Sequence, residues 1–286
     1  MGFPYRVSAI AVGAAMSAET DGSHAVWFPD RLLAEPDRDR WHEAAGPLAA
    51  VVPDPTDLAD PVVAATAALL ATRRLRVGLL AIGLDDAERT ARTIATLCEL
   101  APRRVIASID ARAAVPERDA SARAVSLALA ASATDAELIL AVDDAHGIEL
   151  AGALGRGWLL TRPCGPEALV AFLRAAPEVA GGVYLPIVVH EDELLARKAL
   201  DGPLLSALGA VAGGAGHDAA EHIVVGTPDD ALAALHALAR AGVRRVVLDN
   251  LLPLGLPEEF EGAQRSVRMV LRTARLQLRD APRDVA

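Results

Sequence analysis

The 286-residue sequence has little of several residue types that define whole classes of protein. Aromatic residues make up 3% of it, Lys198 is the only lysine, and Cys98 and Cys164 are the only cysteines. Two cysteines are too few for a disulfide framework, and these two lack the spacing of metal ligands. We therefore expect plain thiols and no metal site.

Charge and hydropathy argue against two kinds of partner. The formal net charge is -10, and no basic run is longer than a pair such as Arg73-Arg74, so we expect no nucleic-acid binding. Apolar runs such as 62–71 and 124–133 fall well short of the roughly 18 residues that a membrane-spanning helix needs, so we expect no membrane segment. The first residues lack a signal-peptide pattern, which predicts a cytoplasmic protein.

Short runs rich in Val, Ile and Leu alternate with longer Ala-rich and Arg-rich stretches of helical period, in a chain that is 52% hydrophobic and 23% charged. This alternation is typical of parallel strands joined by crossover helices. The predicted strands are 6–12, 25–28, 75–80, 104–109, 137–142, 157–160, 184–189 and 245–248. The predicted helices are 61–72, 85–100, 120–133, 148–154, 167–176 and 229–241.

Eight strands alternating with helices, and no linker between two halves, predict one (β/α)8 (TIM) barrel domain over residues 1–286. An open doubly wound sheet is the competing α/β architecture. Thr227, Pro228 and two following acids predict a helix start, and Gly242 predicts the end of that helix. The glycine-rich segment 209–216 is predicted to be a loop.

Polar residues follow most of the predicted strands. Because a (β/α)8 barrel carries its active site on the loops after its strands, these residues are the candidates for function. They are Asp30, Arg31, Trp41, His42, Gly83, Asp110, Arg112, Asp143, Asp144, His146, Thr161, Arg162, Cys164, His190, Glu191, Asp192, Asp249 and Asn250.

Four segments resemble the bacterial luciferase-like superfamily of barrel flavoproteins. They are SHAVWFPDRLL (23–33), DPVVAATAALLATRRLRVGLLAIG (60–83), AELILAVDDAHGIELAGALGRGWLL (136–160) and VVGTPDDALAALHALARAGVRRVVL (224–248). The resemblance implies FMN or the deazaflavin F420 lying across the barrel mouth, with a hydride passed between its ring and a substrate. It also implies a homodimer, for which helices 61–72 and 85–100 are candidate interface elements.

The resemblance implies catalytic residues at one end of the mouth. Where the family has Asp-His after its second strand, this chain has Asp30-Arg31. Asp30 retains an acid, and His42, beside Trp41 in the next loop, is the candidate to replace the missing imidazole. We therefore assign proton transfer to Asp30, Trp41 and His42.

The resemblance also implies a set of cofactor contacts, from which this chain departs at two loops. The family's glycines after the fourth strand are missing, and its neutral phosphate loop after the fifth strand here contains Asp143 and Asp144. Two carboxylates repel a phosphate unless Arg112, Arg162 or a protonated His146 compensates. The expected cofactor-binding residues are Arg31, Ala81, Ile82, Gly83, Ser108, Arg112, Asp144, Ala145, His146, Gly147 and Arg162.

Three functions remain open on the sequence. The first is an F420H2-dependent reductase acting on C=C, C=N or C=O bonds of a small molecule, a natural product or a modified peptide. F420 is preferred because the arginine-biased composition suits actinobacteria, where this cofactor is common. The second is an FMN-dependent monooxygenase, and the third is a non-catalytic partner subunit with a degenerate cofactor site.

Overall fold

The computed structural model describes residues 15–19, 24–29, 76–82, 87–111, 116–131, 135–161, 166–200, 223–252 and 256–280. It also describes five helical residues within 62–70, namely Val62, Ala65, Thr66, Leu69 and Leu70. Nine strands lie in this part of the chain: β1 Ala15–Glu19, β2 His24–Pro29, β3 Arg76–Ile82, β4 Val105–Asp110, β5 Glu137–Val142, β6 Gly157–Leu160, β7 Gly181–Val189, β8 Val224–Gly226 and β9 Arg245–Asn250. Its longer helices are α1 Ala87–Leu100, α2 Pro116–Ala131, α3 Ala145–Ala153, α4 Pro166–Ala175, α5 Glu193–Leu200, α6 Pro228–Arg240 and α7 Phe260–Asp280.

All nine strands belong to one sheet. Their hydrogen-bonded order is β6-β5-β4-β3-β2-β1-β9-β7-β8, and β6 also pairs with β7. The pairs from β2 round to β6, together with β6–β7, β7–β8 and β7–β9, are parallel. Strand β1 is antiparallel to both β2 and β9, which departs from a uniformly parallel barrel.

The alternation of strands and helices predicted from the sequence is confirmed. Seven predicted strands correspond to β2, β3, β4, β5, β6, β7 and β9, whereas the predicted strand 6–12 and the predicted loop 209–216 lie outside the described residues. The prediction missed β1, β8, α5 and α7. It also started α2 at residue 120 and α3 at residue 148, whereas these helices begin at Pro116 and Ala145.

The helix boundaries of α6 match the sequence signals. Thr227 stands at the N-cap position with Pro228 in the first turn, and Gly242, just beyond the helix, has a φ of 99°. That φ is in the region that favours glycine, so Gly242 ends the helix as predicted.

Successive side chains of each strand point to opposite faces of the sheet. On the face toward the helices, strand residues such as Leu79, Leu140 and Trp158 are buried in one large cluster with Ile94 of α1 and Val270 of α7. The other face, which we call the inner face, carries a smaller apolar cluster. Its members are Ile106, Ile139, Leu159 and Val247, with Tyr184 packed against them.

The amino ends of three strands are joined by ion pairs on the inner face. Arg76 Nη2 lies 2.5 Å from Glu137 Oε2, and Arg245 Nη2 lies 2.5 Å from Glu137 Oε1. These residues are the first of β3, β5 and β9. The inner face is therefore ionic at its amino end and apolar in its middle. Among the helices that the structure describes, none is both long and apolar enough to cross a membrane.

Candidate functional site

A tyrosine–aspartate pair, half-buried at Tyr184 and buried at Asp249, lies at the carboxyl end of the inner face. The Tyr184 hydroxyl donates a hydrogen bond to Asp249 Oδ2, and Asp249 is only 3% exposed. Tyr184 is aligned with Val247 across the parallel β7–β9 pair, and Asp249 is two residues further along the same face. The tyrosine side chain therefore spans from the apolar middle of the face to its polar end.

Ser108 of β4 places a second polar group on this face. It is two residues beyond Ile106, it is fully buried, and its hydroxyl has no hydrogen-bond partner among the described residues. A buried polar group without a partner costs roughly 1–3 kcal/mol, so such positions call for an explanation in a native fold. A ligand group reaching this face supplies one. Ser108 is thus a predicted cofactor-binding residue that the structure places at a chemically suitable position.

His190 follows β7 at the same end of the sheet. The backbone N–H of Asp192 donates to His190 Nδ1 at 2.9 Å, so in the neutral ring the proton resides on Nε2. Nε2 lies 3.4 Å from Glu259 Oε2, makes no hydrogen bond among the described residues, and is packed against the backbone of Gly262. His190 is therefore held between β7 and the start of α7.

Asn250, at the end of β9, has a structural role. Its amide group donates to the carbonyl oxygens of Val189 and Ala263 at 2.9 and 3.3 Å. Its side-chain oxygen accepts from the N–H groups of Val189 and Leu252 at 3.2 Å each. The residue joins β7, β9 and α7, so its polar atoms hold the end of the sheet together.

The predicted phosphate loop forms the N-terminus of α3. Asp144 is the N-cap, and its Oδ1 accepts a hydrogen bond from the N–H of Gly147 at 2.9 Å. His146 Nε2 lies 2.9 Å from Asp119 Oδ2, so this histidine is paired with α2. A Cβ on Gly147 would stand 2.8 Å from Val142 Cγ1, which explains the glycine by close packing of α3 on β5.

Two other helix N-termini at this end of the sheet also bind carboxylates of the chain itself. Asp192 Oδ1 accepts from the N–H of Leu194 at 2.9 Å at the start of α5. Asp230 Oδ2 accepts from both the N–H and the hydroxyl of Thr227 at 2.8 Å at the start of α6. The hydrogen bond from the Thr227 N–H, followed by that from its hydroxyl and the charge of Arg197, lowers the pKa of Asp230.

The carboxyl ends of the parallel strands and the segments that follow them form an acidic rim. We define the acidic rim as the described residues 108–111, 142–147, 160–161, 189–194, 226–230, 249–252 and 256–262. None of these residues is Lys or Arg. The acids among them are Asp110, Asp143, Asp144, Glu191, Asp192, Glu193, Asp229, Asp230, Asp249, Glu258, Glu259 and Glu261. No group of three His, Cys, Asp or Glu in the described part of the chain is arranged to hold a metal ion.

The remaining predicted site residues are only partly placed. Ala81 and Ile82 are the last two residues of β3, and Ile82 is aligned with Ile109 of β4. Seven predicted site residues lie outside the described residues: Asp30, Arg31, Trp41, His42, Gly83, Arg112 and Arg162. The structure also adds the Tyr184–Asp249 pair. The sequence identifies Asp249 as a polar residue after a predicted strand. Only the β7–β9 pairing shows that Tyr184 lies beside it.

Comparisons with known proteins give matches among solved structures alone, because neither a family model nor a curated protein matches the sequence. The structure of apo-MsnO8 has a TM-score of 0.57 at 16% identity, over 76% of this chain and 82% of that chain. Monooxygenase RslO1 from Streptomyces bottropensis has a TM-score of 0.55 at 18% identity, over 74% of this chain and 81% of that chain. An F420-dependent secondary alcohol dehydrogenase, in complex with an F420-acetone adduct, has a TM-score of 0.55 at 16% identity, over 71% of this chain and 83% of that chain.

At these identities the likeness establishes the fold. Monooxygenases and F420-dependent enzymes are among the structural neighbours, and they share the α/β fold that the sequence predicts. FMN and F420 each have a polar ring and a phosphate group, and the described residues suit these two parts differently. The inner face offers the buried Ser108 hydroxyl to a polar ring, whereas the N-terminus of α3 offers Asp144 where a phosphate would need free N–H groups.

Proposed function

We propose that this chain is a deazaflavin-dependent or flavin-dependent oxidoreductase whose active site is the carboxyl end of the inner face. The observation that carries the proposal is the hydrogen-bonded Tyr184–Asp249 pair, on the same face as the Ser108 hydroxyl, which has no partner among the described residues. Its context is a fold shared with an F420-dependent dehydrogenase and a monooxygenase. A buried polar group without a hydrogen bond destabilises the fold, so the Ser108 hydroxyl, which has no partner among the described residues, supports a ligand site on this face.

We propose F420 as the cofactor and a C=C, C=N or C=O bond of a small molecule or modified peptide as the reduced group. When bound, the reduced deazaflavin supplies a hydride. An F420-dependent dehydrogenase and a monooxygenase are both among the structural neighbours, so the preference for F420 rests on the arginine-biased composition. The acidic rim further favours neutral or cationic substrates, since it repels anions.

The side chains of this chain would bind and orient the cofactor and the substrate, and they would supply protons. Ser108 would hydrogen-bond the polar edge of the ring, and Tyr184, oriented by Asp249, would hold a proton at Oη near the substrate. Asp30, Trp41 and His42 remain our proposal for proton transfer, as the resemblance implies. Ala81, Ile82, Gly83, Arg31, Arg112, Ala145, His146 and Arg162 remain proposed to line the cofactor.

We further propose that residues 1–286 form one (β/α)8 barrel domain. The β6–β7 pairing supports this, because it closes a ring of eight of the described strands, with β8 added beside β7. We also retain the proposal of a homodimer that uses helix 61–72 and α1.

The first test is titration of the purified protein with F420 and, separately, with FMN, followed by fluorescence or heat. We expect micromolar affinity for F420. Ser108→Ala should weaken the affinity for F420 about fivefold or more, because the variant loses roughly one hydrogen bond to the cofactor. Ser266→Ala is the matched control, since Ser266 is equally buried but donates to the Gly262 carbonyl within α7. Equal affinity in both variants would remove Ser108 from the site.

The same titration distinguishes the other two functions. Binding of FMN without F420, with oxygen consumed in the presence of a flavin reductase, would instead indicate a monooxygenase. A non-catalytic partner subunit is favoured by one observation, the carboxylate of Asp144 at the N-terminus of α3. Failure of both cofactors to bind at high micromolar concentration would support that second candidate.

A further inference from the structure

The outer surface of α7 carries a row of arginines. Arg265, Arg268 and Arg272 are exposed, whereas Val267 and Val270 of the same helix are buried in the core. Residues three and four apart lie on one face of a helix, so the three arginines follow the side of α7 that faces away from the core. We call Arg265, Arg268 and Arg272 the arginine stripe.

The arginine stripe belongs to a longer segment that contains no acid. Residues 262–279 have five arginines and no Asp or Glu, and Arg275 and Arg279 continue the spacing of three and four residues within α7. At the rise of an α-helix, the row from Arg265 to Arg279 is about 21 Å long. No two of these arginines are adjacent in the sequence, so only the helix brings them together on one surface.

The described residues offer the arginine stripe no counter-charge. On α1 and α5 an exposed arginine pairs with a glutamate one turn earlier, at 3.6 Å for Arg92 with Glu88 and at 2.6 Å for Arg197 with Glu193. The arginine stripe makes no ion pair with a described residue.

The helix itself gives no reason for this arrangement. Like charges three and four residues apart repel and destabilise a helix. The helix dipole favours cations in the last turn, and the arginine stripe ends well before the last turn of α7, which closes at Asp280. A partner that brings negative charge to the arginine stripe would relieve this repulsion.

The composition and length of the surface favour a protein segment as that partner. Met269 is 45% exposed beside the arginine stripe, and Arg and Met are both enriched in protein–protein interfaces. A nucleic acid or an anionic membrane extends beyond the row and would meet the rest of a chain whose formal net charge is -10. The apolar face of α7 is buried in the core, so this helix cannot insert it into a lipid surface.

We propose that the arginine stripe is a docking site for an acidic helical segment of another protein. The carboxylates of that segment recur every three and four residues, because two helices with the same rise then align charge with charge along the whole row. A second copy of this chain does not dock here through its own α7, since two arginine stripes repel each other. This docking site is independent of the proposed oxidoreductase chemistry.

The test measures the binding of two synthetic acidic peptides to the full chain by fluorescence anisotropy. Both are helical and have the same composition, but the glutamates recur every three and four residues in the first peptide and are spread around the helix in the second. We expect the first to bind at least about fivefold more tightly, because its carboxylates reach several arginines at once. Its affinity should fall as salt is added, since exposed ion pairs are screened.

Matched variants locate the binding surface. Arg268→Gln with Arg272→Gln should weaken the first peptide about fivefold, the loss expected for two exposed ion pairs. Arg92→Gln with Arg123→Gln removes the same charge from exposed positions on α1 and α2 and should weaken it less than about twofold. The Arg268 and Arg272 variant should melt no lower than the wild-type chain, because its substitutions remove like-charge repulsion from α7.

Four results would overturn the proposal. They are no measurable binding of the first peptide, equal affinity for the two peptides, equal weakening in the two double variants, and tighter binding of a different anion. The anions for the last comparison are an oligothymidylate of matching length and vesicles that contain phosphatidylserine. Tighter binding of either one would assign the arginine stripe to a nucleic acid or to a membrane surface instead.

Discussion

At the scale of single residues, burial decides which polar groups are chemically active. The Cys98 thiol is buried on α1, and this burial, with a smaller contribution from the negative charge of Asp135, raises its pKa to about 11. Asp249 is also buried, but its carboxylate accepts a hydrogen bond from the half-buried Tyr184 at the carboxyl end of the inner face. Cys98 and Asp249 therefore differ in position, and only Asp249 belongs to the proposed site.

We expect Cys98 to be unreactive in the folded chain. At pH 8 its raised pKa leaves about a hundredfold less thiolate than an ordinary thiol has, and the thiolate is the reacting form. Alkylation by iodoacetamide, measured in a Cys164→Ser background by mass spectrometry, should be slower by at least that factor than in the urea-unfolded chain. Comparable rates in the two states would show that Cys98 is accessible.

At the scale of elements, the junction of β5 and α3 contains a glycine, Gly147, that allows close packing of the helix on the strand. Gly147 lies against Val142, and its Cβ position is within 2.9 Å of both Val142 Cγ1 and Val142 Cβ. Gly152, one turn and a residue later on the same helix, would meet mainly the flexible end of Glu178. The two glycines are therefore a matched pair.

We expect Gly147→Ala to destabilise the fold by about 1–3 kcal/mol, because the added methyl group overpacks the helix against the strand. Gly152→Ala is the control and should be neutral or stabilising by up to about 1 kcal/mol, since alanine is the better helix former. Urea unfolding measures both. Val142→Ala should relieve most of the cost of Gly147→Ala, and a double-mutant cycle without coupling would contradict this contact.

The same junction explains why helix starts were predicted too late. Asp144 and the residues after it read as a polar loop, and the apolar period that marks a helix begins only at Ile148. The hydrogen bond from the Gly147 N–H to Asp144 starts α3 earlier. In α2, Pro116 and the polar residues after it similarly precede the apolar part of the helix.

At the scale of the whole molecule, Glu137 links strands that are far apart in sequence. Its two oxygens bind Arg76 and Arg245, whose side chains are 25% and 11% exposed. Among the described residues, Arg76 and Arg245 lie at this amino end, whereas the acidic rim occupies the opposite end. The described part of the sheet therefore carries charges of opposite sign at its two ends.

We expect Glu137→Gln to cost about 1–3 kcal/mol, between the values of exposed and fully buried ion pairs, because it leaves two partly buried guanidinium groups without their carboxylate. Glu193→Gln removes the exposed pair with Arg197 and should cost less than about 0.5 kcal/mol. Chemical denaturation of the two variants, at low and high salt, compares them. Equal losses would show that the Glu137 ion pairs contribute no more than a surface pair.

The sequence by itself determined the α/β class, seven of the nine strands and the polar residues that follow them. It could do so because strand hydrophobicity, helical period and caps such as Thr227-Pro228 are local signals. It could not reveal the three-residue strand β8, which is too short for a period, or the antiparallel β1.

Only the tertiary structure decided which of the polar residues act together. The β7–β9 pairing brings Tyr184 to Asp249, although 65 residues separate them in the chain. The register of β4 turns Ser108 inward, and the cap geometry binds Asp144 to its own helix instead of leaving that terminus to a cofactor. Contacts of this kind depend on strand order and register, which no local pattern of residues encodes.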